Sequence, residues 1–304
     1  MTWTEALPRP YYSTYEKVAV EDDWFEVYRL PHEVYAITEP RHFQEVTSFL
    51  ILGSQSALLF DTGMGISNIK KVVTALYPGD VIVMNSHFHF DHIADNHRFD
   101  RVFLFNEPHA VSQLQKGCTP AELAYNVLPA MFWGDPPLGF NPAAYAIPPV
   151  TPQVVEDDHL FDLGNRTLQV IHTPGHTRDC IMLLDTGNRI LFTGDSLYKG
   201  ALYLHFQSPM YGYSDLGAYT DSMKKAARLA ASLEFLYCSH NDPVVNPTML
   251  HAVVQALEQI QSANSVDERT DAGLHAYEQE EDHLARYPFG EFSIIIPAAK
   301  SRAD

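Results

Sequence analysis

The chain has 304 residues, 46% hydrophobic and 19% charged, an ordinary globular balance with enough length to bury one large core or two modest ones. Against 38 Asp and Glu there are only 20 Lys and Arg, and the formal net charge of −18 argues against nucleic acid or an anionic membrane as partner. The three cysteines, Cys118, Cys180 and Cys238, are far apart and odd in number, so they offer no disulfide framework.

A reducing compartment therefore fits, and with no apolar leader in residues 1–16 and no apolar run of membrane-spanning length, a cytoplasmic protein is expected. Residues 1–22 read as an arm with little pattern. From Trp24 the chain gives short apolar or alternating pieces, Trp24–Tyr28, Val34–Ile37, Ser48–Leu52 and Ala57–Phe60, separated by Gly, Pro and polar residues as successive strands are. Asp61-Thr62-Gly63 ends that series, a helix is predicted over Ile66–Tyr77 up to Pro78-Gly79, and Val81–Met84 is again a strand. A further strand, Val102–Phe105, precedes a helix over Glu107–Lys116.

Residues 117–152 change character, with eight prolines interleaved with Tyr125, Phe132, Trp133, Phe140 and Tyr145. The stretch is too apolar for a flexible linker and too proline-rich for long helices or central strands. It reads as an aromatic cover that shapes an apolar acyl pocket, with Phe132 and Trp133, together with Phe88, as lining residues. A subunit contact and plain surface packing are the alternatives. A second strand series follows at His159–Asp162, Thr167–Ile171, Ile181–Leu184 and Arg189–Thr193. Then come a helix over Asp215–Leu233, a strand over Glu234–Cys238 and a helix over Thr248–Ser262. The tail, residues 263–304, reads as a helix plus an edge strand in Phe289–Ile296, near the site or in a homodimer contact. Strands followed by helices, twice over, predict an α+β layered fold with helices outside two stacked sheets.

The chemistry is concentrated in His87-Phe88-His89-Phe90-Asp91-His92, just after the Val81–Met84 strand. A spacing of two sets His87 and His89 on one side of an extended segment, and Asp91 and His92 follow where the chain turns. Imidazole and carboxylate donors together suit Zn, Mn or Fe. Three more apolar strands end in ligand-type residues: Val170-Ile171-His172-Thr173-Pro174-Gly175-His176, Ile190-Leu191-Phe192-Thr193-Gly194-Asp195 and Phe235-Leu236-Tyr237-Cys238-Ser239-His240. His176, after the Pro-Gly turn, is the better ligand there, and His172, still on its strand, is expected to be packed.

This ordered set of motifs resembles the metallo-β-lactamase fold hydrolases over about residues 24–262, nearer the glyoxalase II type than the antibiotic-degrading type. The resemblance implies a four-layer αββα sandwich of two mixed sheets flanked by helices, with metals at the edge between the sheets. It implies that His87, His89 and His176 hold one metal, that Asp91, His92 and His240 hold the other, and that Asp195 bridges them. Asp61 matches the aspartate that orients a ligand histidine. Two zinc ions, with Fe or Mn as alternatives, would share and ionise a water and polarise the carbonyl it attacks. Asp91 would double as proton acceptor and donor. The segment Gly194-Asp195-Ser196-Leu197-Tyr198 is similar both to acyl-homoserine lactonases and to metallo-β-lactamase-domain acyl-CoA thioesterases, which makes Tyr198 a donor to the developing oxyanion.

The expected function is thus hydrolysis of a small acyl substrate, a thioester or carboxylic ester, with lactone opening as the nearest rival. From another class, a mononuclear-iron persulfide dioxygenase shares much of the motif. A nuclease would need basic surface, and a flavodiiron reductase a carboxylate where His89 stands and a flavin domain. Lys199, Arg178 and the cluster Lys224, Lys225 and Arg228 are the candidates to attract an anionic leaving group, although the last three read more readily as a solvated helix face.

Overall fold

The computed structural model describes residues 7–262 and 284–298. An eight-stranded sheet contains the strands in chain order from Glu16–Val18 to Gln153–Val155. Its pairs are antiparallel up to Ala57–Phe60 and parallel beyond it. The second sheet has six strands, with Ile190–Phe192 at its centre between Ile181–Asp185 and the parallel strand Phe235–Tyr237.

Side-chain alternation explains how the sheets stack. In Val81–Met84, Ile82 and Met84 point into the cluster between the sheets, where they join Phe49, Phe60, Phe192 and Tyr237, and Val83 points to the outer face. Because both faces of each central strand are buried, these strands read as continuous apolar runs. The outer face of the first sheet is covered by helices Ile69–Leu76 and Pro108–Lys116, through Ile69, Val72, Val73, Ala110 and Leu114. Helices Leu216–Ala227 and Thr248–Ser262 cover the second through Tyr219, Met223, Leu250, Val253 and Leu257. The result is the αββα sandwich.

A buried ion pair ties the two sheets together. Arg166 donates from Nε to Asp185 Oδ2 at 2.6 Å, and its Nη1 donates to the carbonyls of His32 and Leu52 on the first sheet. Both side chains are almost fully enclosed. Removing one partner strands the other charge, so Arg166→Ala should destabilise the fold by about 3–5 kcal/mol, read as a lower urea midpoint. Arg166→Met combined with Asp185→Leu should recover most of that loss.

Several sequence expectations shift here. The helix expected from Ile66 starts at Ile69, where the Asn68 side chain accepts from the Lys71 amide. The one expected over Asp215–Leu233 ends at Ala227 and is followed by a separate turn, Ala230–Ser232. The N-terminal arm is not patternless, because Glu16–Val18 extends the first sheet. Nor is the end of the tail one edge strand: Leu284–Phe289 and Phe292–Pro297 form a hairpin across Gly290 (φ +71°) and Glu291. Phe292–Pro297 is the central strand of a small sheet and pairs in parallel with Gly200–Tyr203. The helix expected earlier in the tail lies outside the described residues.

Candidate metal centre

Five loops leaving the strand ends bring the site together at one edge of the sandwich. Two glycines make the close turns. Gly194 (φ +51°) sits where a Cβ would lie 2.7 Å from Ser86 Cβ, and at Gly175 (φ +148°) a Cβ would lie 2.3 Å from Tyr219 Cβ. Each directly precedes a candidate ligand.

Two groups of potential donor atoms face each other: His87, His89, His176 and Asp195, and Asp91, His92 and His240. All seven residues are buried. Asp195 reaches both groups. Its Oδ2 is 3.6 Å from His176 Nε2 and 4.0 Å from His87 Nε2, and its Oδ1 is 3.1 Å from His92 Nε2 and 2.9 Å from His240 Nε2. Asp91 Oδ2 stands 3.7 and 3.8 Å from the Nε2 atoms of His92 and His240.

The outward nitrogen of every histidine meets an oxygen. His87 Nδ1 meets Ser86 Oγ at 3.0 Å, His89 Nε2 meets Tyr211 O at 2.8 Å, and His92 Nδ1 meets Asp61 Oδ2 at 2.8 Å. His176 Nδ1 and His240 Nδ1 meet the carbonyls of Tyr203 (2.8 Å) and Gln44 (2.7 Å). These contacts fix the ring orientations and leave the other nitrogen of each ring facing inward. The Asp61 carboxylate also accepts from the Ser86 amide at 2.7 Å, at the start of the histidine cluster.

The inward atoms fit metal ions better than they fit one another. His87 Nε2 is buried without a hydrogen-bond partner, and Asp195 Oδ1, though close to two rings, is not aligned for a hydrogen bond with either. His89 Nδ1 lies 3.1 Å from His176 Nε2, and His92 Nε2 lies 3.3 Å from His240 Nε2. Tetrahedral zinc with bonds of 2.0–2.1 Å has donor–donor edges of about 3.3 Å. Burial holds His89 down to about 4 and His176 to about 3, so both are neutral donors at pH 7. Burial opposes charge on His92 too, but the Asp195, Asp91 and Asp61 carboxylates outweigh it and raise its pKa. The acidic half of the site thus calls for positive charge.

A small cavity of about 20 Å³ opens on this cluster, walled by Gln44, Tyr198, Tyr203, Phe206 and Tyr211 beside the ligands. The expected lining residues are elsewhere. Phe132 is buried against Trp24, His42 and Phe140. Half-exposed Trp133 lines a separate cleft beside Leu7–Lys17, and Phe88 packs against His109 and the Gly212 backbone. The aromatic supply in 117–152 was real, but core packing uses it. The aromatic walls come instead from 203–211, where no sequence motif marks them. Tyr198 does border the cavity, its ring 4.9 Å from that of His240, but its hydroxyl donates to the Ala201 carbonyl at 2.6 Å. His172 is packed, stacked on Phe105 at 3.9 Å.

The sequence profile described as the metallo-beta-lactamase superfamily matches residues 43–240. The chain belongs to that superfamily of metallo-hydrolases. It is 28% identical over 200 residues to "Acyl-coenzyme A thioesterase MBLAC2" of Gallus gallus, covering 59% of this chain and 68% of the relative. The Homo sapiens protein of the same name is 28% identical over 169 residues, 51% and 59% of the two chains, so the match spans only part of these relatives. A solved archaeal superfamily protein, ST1585 from Sulfolobus tokodaii, shares the fold with a TM-score of 0.51 at 18% identity, over 81% of this chain and 93% of that one. Among the described residues, no helix is long and apolar enough to cross a membrane.

Proposed function

We propose that the protein is a binuclear metallo-hydrolase that cleaves a thioester or carboxylic ester of a small acyl substrate. The observation that carries this reading is the Asp195 carboxylate, one oxygen toward each of two histidine groups. His87, His89 and His176 would hold one ion and Asp91, His92 and His240 the other, with Asp195 shared. Zinc ions bound there, or iron or manganese, would supply an ionised water and an electrophile for the carbonyl. Asp91 takes the proton released as water attacks the acyl carbon and returns it to the departing sulfur or oxygen. Tyr198, Tyr203, Phe206 and Tyr211 wall the approach to the reacting carbonyl and exclude solvent water, while the cavity they enclose, about 20 Å³, takes a water-sized group and not an acyl chain.

The thioesterase names of the relatives support the thioester over other carbonyl bonds. Coenzyme A as leaving group has less support from the cations. Lys199 is paired with Asp242 and Glu291, Lys224 with Glu258 and Lys225 with Asp157. The Tyr198 hydroxyl, turned to the Ala201 carbonyl, is not the oxyanion donor that both the thioesterase and the lactonase resemblances implied, so it favours neither. Two buried ligand groups speak for two ions and against the single iron of a persulfide dioxygenase.

A panel of thioesters, aryl esters, lactones, phosphodiesters and a β-lactam, assayed on zinc-loaded enzyme, tests the assignment. Thioesters or aryl esters should give the highest kcat/KM, and Asp195→Ala should lose that activity. Phosphodiesters outrunning every carbonyl substrate would overturn it, as would a single bound iron with oxygen uptake on glutathione persulfide.

A further inference from the structure

We infer that Arg9, in the N-terminal segment, is a positioning residue for His240 and so for the second of the two metal sites. The inference rests on the two-ion reading above. Arg9 donates from Nε to Glu45 Oε2 at 2.9 Å and from Nη2 to Glu45 Oε1 at 2.5 Å, a two-point guanidinium–carboxylate contact. The same Nη2 reaches Asn241 Oδ1 at 3.4 Å. One side chain therefore holds two loops that are remote in sequence.

Both held residues directly follow residues of the site. Glu45 comes after Gln44, whose carbonyl receives the His240 Nδ1 hydrogen bond, and Asn241 comes after His240 itself. Both adopt left-handed backbone, φ +43° at Glu45 and +59° at Asn241; asparagine visits this region readily, whereas glutamate avoids it unless the surroundings impose it. The Glu45 side chain is 2% exposed, and among the described residues Arg9 is the cation that pairs with it. Without Arg9 an unpaired buried carboxylate would sit next to the carbonyl that aims His240. The segment adds two further ties to the same loop: Tyr12 Oη donates to Asn241 O at 3.4 Å, and Tyr15 Oη to Asp242 Oδ1 at 2.7 Å. The first site draws its orienting oxygens from Ser86, Tyr211 and Tyr203, none of which Arg9 touches.

The test titrates Zn²⁺, and Co²⁺ for its ligand-field spectrum, into metal-free wild type, Arg9→Ala and Arg9→Lys. The lysine keeps the charge but not the two-point contact. Wild type should take up two ions per chain. Arg9→Ala should keep one ion at wild-type affinity and bind the other, the one held by His240, about 10–100-fold less tightly, as expected when the group orienting a ligand histidine is disturbed. Arg9→Lys should fall between them and carries the test if the alanine variant does not fold. Two ions at wild-type affinity in both variants would overturn the inference. So would equal weakening of both ions, which marks a general loss of structure. A wild type that takes up only one ion would instead sink the two-ion reading, and this inference with it.

Discussion

Asp195→Ala is expected to lower kcat/KM for the best carbonyl substrate by on the order of 10³-fold, and to weaken both metal ions together. The size follows from the several kcal/mol of charge stabilisation that a paired metal centre supplies to a developing oxyanion. It is large because one side chain serves both groups, with Oδ1 3.1 Å from His92 Nε2 and Oδ2 3.6 Å from His176 Nε2. Among the described residues no other carboxylate does this, since Asp91 faces His92 and His240. Steady-state kinetics with metal analysis of the same preparations read both effects. Activity within a few fold of wild type would show that Asp195 is not shared.

The second large effect is expected at Asp61, where two substitutions should separate metal binding from stability. Asp61 is fully buried at φ +69°, accepting from the Ser86 amide on Oδ1 and meeting His92 Nδ1 on Oδ2. Asp61→Asn tolerates the left-handed backbone and can still accept from Ser86. Its NH2 group, however, would face the donor nitrogen of His92 and favour the tautomer with a proton on the metal-facing side. Stability should therefore be nearly preserved while affinity at the second metal site falls about 10–100-fold. Asp61→Ala should suffer the same loss and in addition unfold more easily, by about 1–3 kcal/mol for the unpaired Ser86 amide, with backbone strain on top. Chemical denaturation alongside zinc titration distinguishes the two. Equal stability of both variants would argue against the Ser86 contact as a structural bond.

What could be read from the sequence follows from how locally each feature is encoded. Ala57–Phe60, Val81–Met84 and Val102–Phe105 are central strands, buried on both faces, and their apolar runs mark them to the residue. Thr248–Ser262 was equally legible, from its helical apolar period. The metal cluster was visible because each candidate ligand sits three to eight residues past such a strand, where a strand end aims it at the shared edge. Edge pieces such as Glu16–Val18 and Gln153–Val155 escaped notice, since a strand with one partner and exposed side chains carries little apolar signal. The cavity walls escaped for a different reason. Phe206 and Tyr211 each directly precede a strand of a small two-stranded ribbon, Gln207–Ser208 with Gly212–Tyr213, whose position depends on contacts such as Tyr211 O with His89, which only the assembled fold brings about. Phe132 and Trp133 had the right chemistry for a pocket, but Trp24 and His42 were already waiting for Phe132. Arg9 shows the same limit, because its partners lie 36 and 232 residues away.

Anomalous diffraction from zinc-loaded crystals tests the central claim most directly. Two zinc peaks should appear, one among His87, His89 and His176 and one among Asp91, His92 and His240, with an Asp195 oxygen on each. A single peak, or His176, Asp195 and His240 turned away from residues 87–92, would contradict it.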